Sequence, residues 1–252
     1  MQLVDKKENG NQGIKVEKLG AIEWSRIAFS YPDASIPSLI EITASIKSGE
    51  RIAIMGRNGS GKTTLIKLCA GMFKPTQGVI TYDKLGLSEI NETQFYSKLS
   101  VVLQDIYLFS GTIRENIIMG RDNIDDEVLR RTIECSGVND FLPRIPGGLE
   151  CVLSDRGQSL SAGQRQSIAL ARALVIEPEV LLLDEPTSAL DLNSEQSFVE
   201  RLKTFLKDST LITVTHRLPV LELVDRIMVL ADGKIALDGP KNEVLEKLQT
   251  KQ

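Results

Sequence analysis

Arg51-Ile52-Ala53-Ile54-Met55-Gly56-Arg57-Asn58-Gly59-Ser60-Gly61-Lys62-Thr63-Thr64 is the stretch on which the reading of the whole chain turns. The apolar residues before Gly56 predict a short strand. From Lys62 onward, Leu65, Leu68, Cys69 and Met72 recur at helical spacing and predict a helix over 62–72. Between them the glycines let the backbone curl so that successive N–H groups face one concavity. The helix N-terminus adds about half a positive charge there. Gly56, Arg57, Asn58, Gly59, Ser60, Gly61, Lys62 and Thr63 fill G-x-x-x-x-G-K-[ST], with Thr64 one residue beyond. Such a loop is expected to cradle phosphates, Lys62 reaching the β/γ-phosphates and the Thr63 hydroxyl meeting Mg2+. The plain alternative is a chance glycine turn, which the flanking strand and helix disfavour.

Further along, Val180-Leu181-Leu182-Leu183-Asp184-Glu185 is an aliphatic run ending in two acids. A run of this kind reads as a fully buried parallel strand. Asp184 at its end is expected to hold Mg2+ through water, and Glu185 to accept a proton from water attacking the γ-phosphate. Two acids after a strand also commonly cap the next helix; the phosphate loop upstream favours the catalytic reading.

Around these anchors the chain orders itself. Residues 1–20 are rich in Lys, Glu, Asn, Gln and Gly and read as a polar linker or N-terminal arm. Ile22, Trp24, Ile27, Phe29 and Tyr31 roughly alternate, as in a half-buried strand, and 36–46 reads as its neighbour. Short strands follow at 78–82 and 99–104. Residues 105–160 carry helical patterns at 112–119 and 125–135, broken by Pro143, Pro146 and Gly147-Gly148, with no clear strand. A helix over 161–176 with Ser161 as N-cap, an amphipathic helix over 193–207, strands at 210–215 and 226–230, an Asp232-Gly233 hairpin turn and a terminal helix complete the order. Strands alternating with helices in the second half imply a parallel sheet covered on both faces.

Composition narrows the function. Hydrophobic residues are 42% and charged residues 25% of 252, the average of a soluble globular protein. No apolar stretch is long enough to span a membrane. Thirty basic against thirty-four acidic residues give a net charge of −4, so no global positive field draws the chain to nucleic acid. Cys69, Cys135 and Cys151 have no metal or disulfide spacing and read as core thiols in a reducing cytosol. The single histidine, His216, excludes a multi-histidine metal site.

Leu160-Ser161-Ala162-Gly163-Gln164, followed by Arg165-Gln166, resembles the signature motif of ATP-binding cassette (ABC) ATPases. Other matches follow in that family's order. Gln104 in Val102-Leu103-Gln104-Asp105 is similar to the Q-loop, Ser188-Ala189-Leu190-Asp191 to the D-loop, and Thr215-His216-Arg217 to the switch-histidine loop. Tyr31 stands where the family has its adenine-stacking aromatic. The resemblance covers about residues 22–250. It implies an α/β fold of the ABC type of P-loop NTPase, a mixed sheet core with an antiparallel β subdomain and a helical subdomain at about 105–176, all within one domain over 21–250.

The resemblance also implies roles. Glu185, His216, Lys62 and Gln104 are expected to be catalytic, His216 by donating to the γ-phosphate or orienting water. Thr63, Gln104 and Asp184 would hold Mg2+, and Tyr31, Ser161, Gly163, Gln164 and Asp191 would join the loop in binding ATP. Bland readings stay beside these: Tyr31 as a core aromatic, Gln104 as a surface amide, His216 as a satisfied core histidine and Asp191 as a helix N-cap. Ser161 and the helix start after it form a second anion site, which two copies arranged head to tail would close over the partner's ATP. Ala162 departs from the family's usual glycine.

Leu108-Phe109-Ser110-Gly111-Thr112-Ile113-Arg114-Glu115-Asn116 and Ser154-Asp155-Arg156-Gly157 resemble exporter cassettes, the latter with Asp where Glu is usual. Residues 223–227 and 238–241 resemble type I protein-secretion cassettes. The expected protein is an exporter's ATPase motor at the cytoplasmic face of the inner membrane, partnered by a second copy and a transmembrane domain, fused or separate. The competing expectation is a soluble ABC ATPase acting on nucleic acid or ribosomes. Against it stand the short segment between phosphate loop and signature (residues 64–160), the single cassette and the near-neutral charge.

Overall fold

A computed structural model describes residues 13–121 and 123–250. In chain order, β1 (Ile22–Phe29) and β2 (Leu39–Ile46) pair antiparallel. β3 (Arg51–Met55) runs through the glycine loop into α1 (Lys62–Cys69). β4 (Gln77–Tyr82) and β5 (Leu85–Gly86) return beside β1, completing a four-stranded antiparallel sheet ordered β2-β1-β4-β5. Then come α2 (Glu92–Lys98), β6 (Leu99–Val102), β7 (Gly111–Thr112), α3 (Ile113–Ile118), α4 (Asp126–Ser136), β8 (Val152–Leu153) and α5 (Ala162–Leu174). The last third holds β9 (Val180–Asp184), α6 (Leu192–Phe205), β10 (Thr210–Val214), β11 (Arg226–Ala231), β12 (Lys234–Pro240) and α7 (Lys241–Gln249).

The central sheet runs β12-β11-β3-β10-β9-β6, with every neighbouring pair parallel except the hairpin β11–β12. Its inner strands β3, β9 and β10 are buried on both faces, because each feeds two cores. Val180 and Leu182 of β9, with Ile52 and Ile54 of β3, pack toward the antiparallel sheet. Leu181 and Leu183, with Ala53, face the other way onto α5 and α6. A third core, from Leu108 through Ile117, Leu129 and Leu153 to Ile168 and Val175, lies among α3, α4 and α5. The parallel arrangement brings the C-terminal ends of β3, β9 and β10 to one edge, where the glycine loop, Asp184 and the Thr215-His216 turn lie side by side.

Several expectations need correction. β2 starts at Leu39; Ile36 is 75% exposed, because Pro37 removes a backbone donor before pairing begins. β6 ends at Val102, and α1 ends at Cys69 with Met72 exposed. Residues 105–160 do contain strand: Gly111 and Thr112 pair with Leu153 and Val152. α2 and β5 were not foreseen. The expected polar arm at 1–20 is not polar throughout. Val16 and Leu19 are buried, Ile14 pairs with Ile90, and the Glu179 carboxylate accepts the Leu19 N–H. Residues 1–12 of that arm lie outside the described residues.

Candidate functional site

The phosphate loop is shaped by backbone angles that only glycine adopts freely. Gly56 has φ +145° and Gly61 φ +100°; a Cβ on Gly61 would stand 2.5 Å from the Ser38 carbonyl oxygen. Gly61 caps α1 with no side-chain acceptor, so the first N–H groups of the helix open into the loop. Lys62 bends back to donate from Nζ to the Gly56 and Arg57 carbonyls at 2.7 and 3.0 Å. Burial lowers its pKa, against the opposing pull of Glu185 and Asp184. Ser60 is buried, and its hydroxyl has no partner among the described residues.

A cleft of about 520 Å³ opens over this loop, lined by Tyr31, Asn58, Gly59, Gly61, Lys62, Thr63, Thr64, Gln104, Asp184 and Glu185, among others. Thr63 Oγ1 donates to Asp184 Oδ2 at 2.7 Å. Asp184 is 1% exposed; burial raises its pKa, opposed first by the Thr63 hydrogen bond and then by Lys62. Among the described residues no three His, Cys, Asp or Glu side chains gather to hold a metal by themselves. One hydroxyl and one carboxylate beside a phosphate cradle suit Mg2+, a hard ion that completes its shell with phosphate and water oxygens.

Glu185 is the strained residue of the site. Its φ is +50°, a left-handed conformation that costs a non-glycine residue about 1–3 kcal/mol. Two neighbours hold it there: its N–H donates to the Val214 carbonyl at 2.9 Å, and its own carbonyl accepts from Gln166 Nε2 at 3.1 Å. The side chain is 18% exposed, with Oε1 3.6 Å from His216 Nε2. Burial raises its pKa, the His216 charge opposing. Tyr31 donates to or accepts from Thr64 Oγ1 at 3.2 Å and meets Phe29 and Phe73 edge-on, so the tyrosine forms one wall of the cleft. Gln104 is exposed at the rim.

The signature residues do not line this cleft. Ser161 caps α5 in a reciprocal box: its hydroxyl accepts the Gln164 N–H, and Gln164 Oε1 accepts the Ser161 N–H. Ser161 and Ala162 are exposed, and Gly163 is half-buried. Asp191 lies apart as well. It caps α6, accepting from the backbones of Asn193 and Ser194 and from Ser194 Oγ at 2.7 Å, bonds that lower its pKa.

Two site-forming residues escaped the sequence reading. Each is 1% exposed: Gln166 holds the backbone at Glu185 and Ala189, and Glu195 accepts from the Thr187 hydroxyl and the Arg217 guanidinium. The signal was there: Glu195 is in register with the apolar stripe Phe198, Val199 and Leu202, an expensive position for a carboxylate without a task.

A glycine loop leading into a helix, opposed by an aliphatic strand that ends in two acids, defines a P-loop nucleotide-binding protein. Residues 39–188, more than half of the chain, match the ABC transporter domain family, and the chain belongs to that family as one of its ATP-binding, ATP-hydrolysing domains. It is 38% identical, over 90% of its length, to 36% of a Mycoplasma pneumoniae protein named as an ABC transporter ATP-binding protein. It is 36% identical, over 98% of its length, to 20% of human ATP-binding cassette sub-family B member 5. It is 35% identical, again over 98% of its length, to 43% of a Staphylococcus aureus protein named as a multidrug export ATP-binding/permease protein. Among solved structures, a bacterial Atm1-family ABC exporter with ATP bound matches 94% of this chain with 41% of its own, at 31% identity and a TM-score of 0.86. The chain thus spans less than half the length of these proteins. Among its described residues no helix is long and apolar enough to cross a membrane.

Proposed function

We propose that the chain is the ATP-hydrolysing motor of an exporter, working as a head-to-tail pair in which the Ser161–Gln164 segment of one copy closes over ATP held by the other. One observation carries this. Lys62, Thr63, Asp184 and Glu185 line one cleft, with His216 Nε2 3.6 Å from Glu185 beside it, while the second anion-binding helix start, at Ser161, lines no part of it. A site with its γ-phosphate donors missing on one side is completed by a second copy.

Lys62 and the loop N–H groups hold the phosphates, replacing the Gly56 and Arg57 carbonyls as partners of the ammonium. Tyr31 offers the adenine a π-face. Thr63, Gln104 and Asp184 are the oxygen donors that would hold Mg2+, which neutralises charge on the β- and γ-phosphates when bound. Glu185 takes the proton of the attacking water, for which a carboxyl with a raised pKa is suited. His216 Nε2 orients that water or donates to the γ-phosphate. Asp191 shapes the loop facing the partner copy by capping α6 rather than by reaching the nucleotide itself.

Similarity to proteins named for export supports a transmembrane partner, fused or separate, and a position on the cytoplasmic face of the membrane. One of those names speaks of multidrug export and none of protein secretion, so the resemblance at residues 223–227 and 238–241 carries no cargo assignment.

The test is Glu185→Gln, which keeps shape but cannot accept the proton; losing a general base costs about 10²–10⁴-fold in rate. With MgATP, light scattering should report a doubled mass, and adding Ser161→Arg should reverse it. A Glu185→Gln protein that stays monomeric at saturating MgATP, both alone and joined to its membrane domain, would overturn the sandwich.

A further inference from the structure

The loop that follows Glu185 is exposed at Ser188 and Ala189, yet side chains from elsewhere hold one backbone group on each of three consecutive residues. Arg217 Nη2 donates to the Ser188 carbonyl at 3.1 Å and Nη1 to the Leu190 carbonyl at 3.3 Å. Between them, the Ala189 N–H donates to Gln166 Oε1 at 2.9 Å. The Arg217 guanidinium is in turn held by Glu195 Oε2 at 3.3 Å, and the other oxygen of that carboxylate accepts from Thr187 Oγ1. Glu195 and Thr187 are each 1% exposed.

Stability alone does not account for this arrangement. An apolar residue at 195 would continue the stripe of Phe198, Val199 and Leu202 without the cost of burying a carboxylate beside an arginine that is itself only half-buried. What the pair provides is a fixed distance between two loops. Arg217 directly follows His216, and its own N–H is held by Thr215 Oγ1 at 3.0 Å. Its guanidinium spans to residues 188 and 190, just beyond Glu185.

We infer that Arg217 and Glu195 are positioning residues that lock the His216 loop and the 188–191 loop into one body, fixing His216 against Glu185. Neither touches the phosphate loop, so they act on turnover and not on nucleotide capture. Each variant should therefore disturb both loops, not only the one nearer the substitution.

The kinetic part of the test rests on the ATPase reading above; the exchange part does not. Glu195→Gln keeps an acceptor for Thr187 but removes the charge that holds Arg217. Arg217→Lys keeps a cation but cannot reach all three acceptors, and it is the milder variant should Glu195→Gln fail to fold. For both, kcat should fall about 10–100-fold, the scale of a small misplacement of a reacting group, with KM for ATP little changed. Amide hydrogen exchange should quicken together in peptides covering 186–192 and 215–218. A purely structural role would instead lower the melting temperature and leave kcat per folded molecule intact, and that result overturns the inference. So does faster exchange confined to the loop beside the substitution. A wild-type protein without ATP turnover would refute the ATPase reading, and paired or unpaired exchange would still decide this one.

Discussion

Replacing Thr63 by valine tests the Thr63–Asp184 pair at the floor of the cleft. Valine keeps nearly the same volume and removes the hydroxyl that donates to Asp184 Oδ2 at 2.7 Å. A hydrogen bond to a charged group contributes about 1.5–3 kcal/mol. A domain of this size shifts its midpoint about 2–4 °C per kcal/mol, so the metal-free protein should melt about 3–12 °C lower. Asp184→Asn should do the opposite. Burial is the largest influence on Asp184 and raises its pKa above the ordinary 3.8. An acid raised on folding binds more protons folded than unfolded, so its ionisation lowers stability as pH climbs from 3.8 through the raised folded value. Asparagine removes that cost. It should be at least as stable as wild type at about pH 8, the advantage fading as pH falls toward 3.8. The Thr63→Val deficit should run the other way, largest where Asp184 is ionised. Both variants should lose Mg2+-dependent ATP turnover. Calorimetric melts in EDTA across this pH range, beside ATPase assays with and without Mg2+, read all of this. An Asp184→Asn protein melting well below wild type at neutral pH, or a Thr63→Val protein melting with it, refutes the picture of a dehydrated carboxylate stabilised mainly by one hydroxyl.

Tyr31→Ala should weaken ATP binding by about 1–3 kcal/mol, the scale of base–aromatic stacking; unchanged affinity by calorimetry removes Tyr31 from the adenine site. Asn116→Ala should cost about 4 kcal/mol at ~1 kcal/mol per hydrogen bond, because this buried amide exchanges bonds with Phe109 N and O, the Thr112 carbonyl and Arg172. Denaturant unfolding measures it, and a loss below about 1 kcal/mol would mean that water replaces those partners.

How far the sequence could be read depended on whether a residue's role was local. The glycine loop was legible because its strand, its turn and its helix are set by neighbours within a few positions. Val180–Asp184 was legible because burial on both faces leaves an unbroken aliphatic run. α2 was not: Glu92–Lys98 has a single buried apolar residue, Phe95, too few to make a period. β7 and β8 are two residues each, paired across about forty positions, and no local pattern encodes such a pair. The burial of Val16 and Leu19 was hidden in a polar context, since six apolar residues scattered without period among twenty read as noise until Glu179 and Gln94 are seen accepting the arm's N–H groups.

The site divides along the same line. The motif residues proposed to meet ATP stand out because their chemistry has no use in a core. The residues that aim them look ordinary. Gln166 lies in step with Ala169, Leu170 and Ala173 on the buried face of α5, and Glu195 in step with Phe198 on α6. Each is a polar group at a position that helical periodicity assigns to the interior. Burying such a group costs free energy unless every hydrogen-bonding atom is met. Gln166 meets the backbone of Glu185 and Ala189, and Glu195 meets the Thr187 hydroxyl and the Arg217 guanidinium. A polar residue in phase with an apolar stripe therefore marks a loop held by a side chain, and here both residues hold the segment that runs on from Glu185.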